Sequence, residues 1–301
     1  MMNILEISHI TKSFGTNKVI DDLNLSVPEH SIFGFVGQNG AGKTTTMKMV
    51  LGLLQADNGE LFVNDEKVTF GQNRTNKYIG YLPDVPEFYD FMTPGEYLSM
   101  CGQITGMCSE EIRKKTAELL KLVGLENANI RIHGFSRGMK QRLGIAQALF
   151  NSPKLLICDE PTSALDPIGR KEILDILYSV RKQTTVLFST HILSDVERIC
   201  DRIAFLNKGR IALEGTLEEI KKIRKGDRIK IEFSKTKDVD AFLNNYVNAK
   251  RIDATKLLLT EKGENDMIEL MKWLSRNNIS IQRLERLEPT LEDLFLEVAA
   301  K

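Results

Sequence analysis

The sequence predicts a mainly parallel α/β domain followed by a small α+β domain, and three features of the chain support this. First, the apolar run Ile32-Phe33-Gly34-Phe35-Val36 enters Gly37-Gln38-Asn39-Gly40-Ala41-Gly42-Lys43-Thr44, and Thr44 to Leu54 then carries apolar residues at helical spacing. Strand, glycine-rich loop and helix in this order match G-x-x-x-x-G-K-[ST], a phosphate-binding loop. Second, Leu155-Leu156-Ile157-Cys158 is another apolar strand, and it ends in Asp159-Glu160. Third, the chain beyond Gly215 sets up a strand-and-helix rhythm of its own.

The loop predicts a nucleoside triphosphate. Its glycines let the backbone wrap phosphates, and Gly37, Gln38, Asn39, Gly40, Ala41 and Gly42 can turn N–H groups inward at the positive end of a helix. Lys43 is placed to reach the β- and γ-phosphates, the Thr44 hydroxyl to ligate Mg²⁺, and Thr45 to add a phosphate contact. The Asp159-Glu160 pair is a Walker B pattern. Asp159 at the strand's carboxyl end can hold Mg²⁺ through water, and Glu160 can face the γ-phosphate as a candidate base. Ser163-Ala164-Leu165-Asp166 follows directly, and a further β-like run from Thr185 ends in Phe188-Ser189-Thr190-His191.

With these segments in this order, residues from about Ile4 to Gly215 resemble the ATP-binding subunit of an ABC transporter. The resemblance implies roles for particular positions. Phe14 stands where the family stacks an aromatic ring on adenine, Asp166 falls in its D-loop, and His191 occupies its switch position. The segment Phe135-Ser136-Arg137-Gly138-Met139-Lys140-Gln141-Arg142 resembles the family signature. There the Ser136 hydroxyl and the close backbone approach allowed by Gly138 suit a phosphate at the start of a helix. In the family this segment closes over ATP held by the opposing subunit. One loop and one signature per chain therefore imply two chains, either identical or related, around two ATP.

Two departures stand out. Phe135, Arg137 and Met139 replace the family's usual leucine, glycine and glutamine. Asp84 follows the strand Ile79-Gly80-Tyr81-Leu82-Pro83 where a glutamine is usual; a carboxylate can approach Mg²⁺ or the attacking water, but it is shorter and charged.

Around these anchors, residues up to about Phe70 read as strands with turns at Ala56-Asp57-Asn58-Gly59 and Asn64-Asp65, an antiparallel layer beside the nucleotide core. Asp84 to about Gln147 reads as mostly helical, with a helix from Glu110 to Val123 stopped at Gly124. The aromatic stretch Pro86-Glu87-Phe88-Tyr89-Asp90-Phe91-Met92 enters the region where the family docks its membrane subunit, and is assigned to a partner surface. The expected organisation is a nucleotide-binding domain over 1–215, a basic helical linker over 216–227 opened by the capping-box spacing Thr216-Leu217-Glu218-Glu219, and an accessory domain over 228–301. In that last domain Arg228–Phe233, Val239–Tyr246, Arg251–Thr260, Asp266–Arg276 and Ile279–Leu284 give β-α-β-β-α-β, a ferredoxin-like order. Thr290 to Val298 adds an amphipathic helix. Such tails resemble those of ATPase subunits serving drug, antibiotic-peptide or lipid exporters.

Composition narrows the function classes. At 301 residues with 42% hydrophobic and 27% charged, the chain can bury a full core. No run reaches the roughly 18 apolar residues needed for a membrane span. With 41 basic against 41 acidic residues, bulk charge does not point to nucleic acid. Cys101, Cys108, Cys158 and Cys200 lack paired spacing and read as free thiols. The expectation is a transport ATPase in the cytoplasm, held peripherally at the inner face of the membrane by a separate polytopic permease and working by export. The alternatives are a non-transport ABC ATPase of translation or repair, and a regulatory nucleotide-binding module.

Overall fold

Alternating apolar residues over Asn3–Phe14 (β1) and Asn17–Pro28 (β2) make two long strands, paired antiparallel from Asn3↔Pro28 to Phe14↔Asn17. The next strand, Ile32–Gly37 (β3), is buried at every residue and feeds the glycine loop and the helix Lys43–Val50 (α1). Asn58–Val63 (β4) and Glu66–Lys67 (β5) then return to the first sheet, whose order is β2-β1-β4-β5. The computed structural model describes residues 2–223, 228–246, 248–260, 266–287, 290–292 and 294–295.

A helical region follows the short strand Ile79–Leu82 (β6). Pro94–Ile104 (α2) begins at a full capping box, with the Thr93 hydroxyl accepting from the Glu96 N–H and the Glu96 carboxylate accepting from the Thr93 N–H. Ser109–Leu122 (α3) ends before Gly124, and Arg137–Leu149 (α4) is capped by Ser136. The remaining elements of the sheet domain are Leu155–Asp159 (β7), Pro167–Val180 (α5), Thr185–Thr190 (β8), Leu193–Ile199 (α6), Arg202–Asn207 (β9) and Arg210–Thr216 (β10).

The second sheet runs β10-β9-β3-β8-β7-β6, parallel from β9 to β6 with β10 antiparallel at one edge. β3, β7 and β8 carry near-continuous apolar residues because a parallel sheet is covered on both faces. One core cluster joins the antiparallel layer to this sheet through Ile10, Leu23, Phe33, Phe35, Met47 and Leu187. Each such side chain contributes about 1.5–3 kcal/mol on burial.

The chain divides into two compact units, Met1–Leu217 and Glu218–Lys301. Leu217–Ile223 (α7) spans the division, and of the basic run at Lys221, Arg224 and Lys225 lie outside the described residues. In the second unit Arg228–Phe233 (β11), Thr236–Leu243 (α8), Ala249–Arg251 (β12), Lys256–Thr260 (β13), Asp266–Arg276 (α9) and Ile281–Leu287 (β14) give the expected β-α-β-β-α-β order. The sheet order β12-β13-β11-β14, antiparallel throughout, is that of a ferredoxin-like fold. Its own core contains Ile229, Ile231, Phe233, Phe242, Leu257 and Leu270, with Tyr246 stacked on Phe242 at 4.3 Å and Trp273 edge-on to both. Of the expected terminal helix, Leu291 and Leu294 are buried, while Val298 lies outside the described residues.

At one point the sheet and α4 come too close for any side chain. A Cβ on Gly80 of β6 would stand 2.1 Å from the Ala148 carbonyl oxygen. Gly80→Ala is expected to lower stability by about 1–3 kcal/mol or more, because a backbone atom cannot rotate away. A fall in the urea midpoint of the variant at unchanged secondary structure checks this.

Candidate functional site

Parallel strands present their carboxyl ends along one edge, where an open α/β sheet binds ligands. Here β3 ends in the glycine loop, β7 in Asp159 and β8 in Thr190, with Phe35 and Asp159 both in register with Ser189. The loop turns into α1 at Gly42, whose φ of +111° only glycine adopts readily; a Cβ there would meet Ile20 Cδ1 at 2.4 Å. A cleft of about 340 Å³ opens above, lined by Val19, Asn39, Gly40, Gly42, Lys43, Thr44, Thr45, Asp84 and Glu160.

Lys43 is 5% exposed and folds back over its own loop. Its Nζ donates to the carbonyls of Gly37 at 2.7 Å and Gln38 at 3.2 Å, and lies 3.1 Å from Glu160 Oε1. A buried ammonium is tolerable only with such partners. The Thr44 hydroxyl donates to Asp159 Oδ2 at 2.7 Å, and the Ser189 hydroxyl donates to Asp159 Oδ1 at 2.5 Å. Both oxygens of this buried carboxylate are therefore held.

Glu160 breaks the strand. Its φ of +49° lies in the left-handed region, uncommon for a side chain of this size, and its N–H is pinned to the Ser189 carbonyl and hydroxyl, each at 3.1 Å. That turn aims the carboxylate into the cleft. His191 Nδ1 lies 2.9 Å from Oε2, while Oε1 is buried with an ion pair to Lys43 but no aligned hydrogen bond. An acceptor held this way can take a proton from a molecule seated beside it.

Oxygen donors at Thr44 and Asp159, next to a phosphate loop, suit Mg²⁺, which takes one or two protein oxygens and completes its shell with phosphate and water. Tyr81 on β6 is pushed up to about 12, by burial first and by the charge of Asp159 second, so its phenol stays neutral. Cys158 is buried too, and burial pushes its thiol up; all four cysteines are free.

Not every residue of the expected site lies in this cleft. Asp84 does, and it also accepts a hydrogen bond from Ser163. Phe14 ends β1 half-exposed, with Lys12 Nζ 5.5 Å from its ring centre, and is not among the cleft residues. Ser136 caps α4 by accepting from the Met139 N–H at 3.2 Å, and Asp166 caps α5 by accepting from the Gly169 N–H at 3.0 Å. With Gly138 they lie outside the cleft in a single chain. Sequence reasoning missed the role of Ser189, and missed Asp195, a buried carboxylate that accepts from Thr162 Oγ1 at 2.6 Å and Arg170 Nη2 at 2.8 Å. This network anchors the segment between β7 and α5. A buried aspartate paired across 25 residues leaves no local sequence pattern.

The fold and cleft define a phosphate-loop nucleotide-binding protein. The chain belongs to the ATP-binding proteins of ABC transporters and is an ATPase coupled to transport, in preference to a translation, repair or regulatory factor. The ABC transporter family model matches residues 20–163, and the model for the C-terminal domain of DrrA1-3-like ATP-binding proteins matches 215–299. The ABC transporter ATP-binding protein YxlF of Bacillus subtilis is 36% identical over 98% of this chain and 99% of its own. The bacitracin transport ATP-binding protein BcrA of Bacillus licheniformis is 33% identical over 99% of this chain and 98% of its own. Among solved structures, cbiO1 of Clostridium perfringens, part of the ABC transporter complex cbiONQ, is 26% identical with a TM-score of 0.68 over 73% of this chain and 91% of its own.

The Ser189 hydroxyl is the one group holding both Asp159 and the backbone of Glu160. Ser189→Ala is expected to cost about 1–3 kcal/mol of stability, since it leaves a buried acceptor unpaired. Denaturant unfolding of the nucleotide-free variant measures it, and a change within a few tenths of a kcal/mol would contradict this account.

Proposed function

We propose that this protein is the ATPase of an exporter: it pairs with a second copy or a related subunit around two Mg²⁺-ATP and drives a separate transmembrane permease. The observation that carries this reading is Glu160, turned out of the strand and gripped between Lys43 and His191 at the mouth of the phosphate cleft. Export is supported by the relative whose name assigns it to bacitracin transport and by the match of the tail to the DrrA-like C-terminal domain. No helix among the described residues is long and apolar enough to cross a membrane. In this reading the substrate path belongs to another chain, a permease that holds this one at the cytoplasmic face of the membrane. Tyr89 and Phe91, 54% and 64% exposed beside Tyr97, are the surface we assign to that permease.

In this reading the loop from Gly37 to Gly42 receives the phosphates, with Thr45 adding a contact. Lys43 exchanges its carbonyl partners for phosphate oxygens. Thr44 and Asp159 are the residues that hold Mg²⁺, which when bound neutralises phosphate charge. Glu160 orients and deprotonates the attacking water, and His191 fixes the carboxylate's second oxygen. Phe14 supplies the ring for the base. Ser136, Gly138 and Asp166 face the partner chain, where a helix start adds only about 0.3–1 kcal/mol per exposed anion contact and so needs the opposing loop to hold ATP.

Glu160→Gln is expected to keep ATP binding and to slow hydrolysis by about 10²–10⁴-fold. Steady-state turnover at saturating Mg²⁺-ATP checks this, and near-normal turnover would remove Glu160 from the mechanism. Lys43→Ala should lose triphosphate affinity instead. In the Glu160→Gln background, light scattering should detect a dimer only with Mg²⁺-ATP. Ser136→Arg should abolish it, and a dimer that survives this change would refute the shared site.

A further inference from the structure

The cleft that receives a polyanion is lined by two carboxylates, Asp84 and Glu160, and by a single lysine. Glu160 is neutralised by Lys43 at 3.1 Å. Asp84 has no such partner within the cleft, and by itself it would repel the phosphates. Its counter-charge comes from outside: Arg137 Nη2, at the first turn of α4, lies 3.5 Å from Asp84 Oδ1. The same guanidinium nitrogen donates to Ser163 Oγ at 3.4 Å, and that hydroxyl donates to Asp84 Oδ1. The Ser163 N–H is in turn bound to the Glu160 carbonyl at 3.0 Å. Asp84, Arg137 and Ser163 thus close a polar triangle between the end of β6, the start of α4 and the turn that carries Glu160.

The position of Arg137 itself needs explaining. A cation at a helix N-terminus opposes the helix dipole, and the first turn of α4 contains no acidic residue to compensate. Asp84 and Ser163 are the acceptors that satisfy it.

We propose that Arg137 is a positioning residue for nucleotide binding in its own chain: it ties one oxygen of Asp84 to Ser163 and offsets the charge of that carboxylate, so that a triphosphate can enter a cleft lined by two acids. The inference rests on the cleft being the nucleotide site, but not on Glu160 being the base. Because Arg137 and Asp84 are each about half exposed, at 47% and 49%, the effect is modest. Partly exposed ion pairs shift a binding constant by about 1.5–5-fold.

Calorimetric titration of the full-length protein with Mg²⁺ and a non-hydrolysable ATP analogue reads binding without turnover. Arg137→Ala is expected to raise Kd by about 1.5–5-fold and Arg137→Lys to raise it less. Adding Asp84→Asn to Arg137→Ala should restore the wild-type value, because the charge that needed offsetting is gone. An unchanged Kd in Arg137→Ala would overturn the proposal, as would a double variant no better than the single one. If Glu160→Gln hydrolyses normally while this pattern holds, the assignment of the base fails and the role of Arg137 stands.

Discussion

Three buried or nearly buried charges, Lys43 at the start of α1 and Asp159 and Glu160 at the end of β7, meet at the carboxyl edge of the parallel sheet, and their compensation is the constraint on which the rest of the first unit depends. Their side chains are 5%, 3% and 12% exposed. Charges so far from water are tolerated only when paired and hydrogen-bonded. The parallel register of β3, β8 and β7 provides the pairing, since it sets Ser189 level with Asp159 and brings Thr44, one residue beyond Lys43, onto the same carboxylate. A register shift of one residue in β7 would send Asp159 to the opposite face of the sheet, away from the Thr44 and Ser189 hydroxyls that hold it. The apolar strands therefore do more than fill a core: they fix where a small number of charges meet.

Most groups of the resulting cluster have partners within the protein itself, and this shapes how the site can work. Lys43 already has two carbonyls and one carboxylate, and Thr44 already donates to Asp159. In the proposed mechanism, binding is an exchange of partners within the cleft, and its free energy is the difference between two paired states. The left-handed turn at Glu160 is the costly element, at about 1–3 kcal/mol for a side chain of this kind. It persists because two hydrogen bonds from its N–H to Ser189 and two contacts to its carboxylate over-determine it.

What could be read from the sequence follows from how local each interaction is. The phosphate loop and the helix start at Ser136 are short patterns whose partners lie within a few residues, and the structure forms that loop and that cap accordingly. Ser189, Asp195 and the Arg137–Asp84 pair were not legible, because their partners lie 25 to 53 residues away and only the folded sheet brings them together. The ends of elements drifted for a related reason. Periodicity placed a helix over Val239–Tyr246, but α8 runs Thr236–Leu243, and Tyr246 lies beyond its end, stacked on Phe242. The last strand was expected over Ile279–Leu284 but runs Ile281–Leu287, since pairing with β11, from Phe233↔Ile281 to Arg228↔Leu287, sets its ends.

Every cleft residue falls within Met1–Leu217, whereas the second unit has a separate core and a separate sheet. Alternation along β11 explains its two faces. Ile229, Ile231 and Phe233 point into the core with the helices, while Lys230 and Glu232 lie on the other face, where Lys256 Nζ stands 3.5 Å from Glu232 Oε1. None of the residues lining the phosphate cleft comes from this sheet. Relatives such as YxlF align along the whole chain, so the second unit accompanies the ATPase core as a fixed companion. Nucleotide chemistry and whatever the tail contributes are thus built on separate hydrophobic cores, one in each unit.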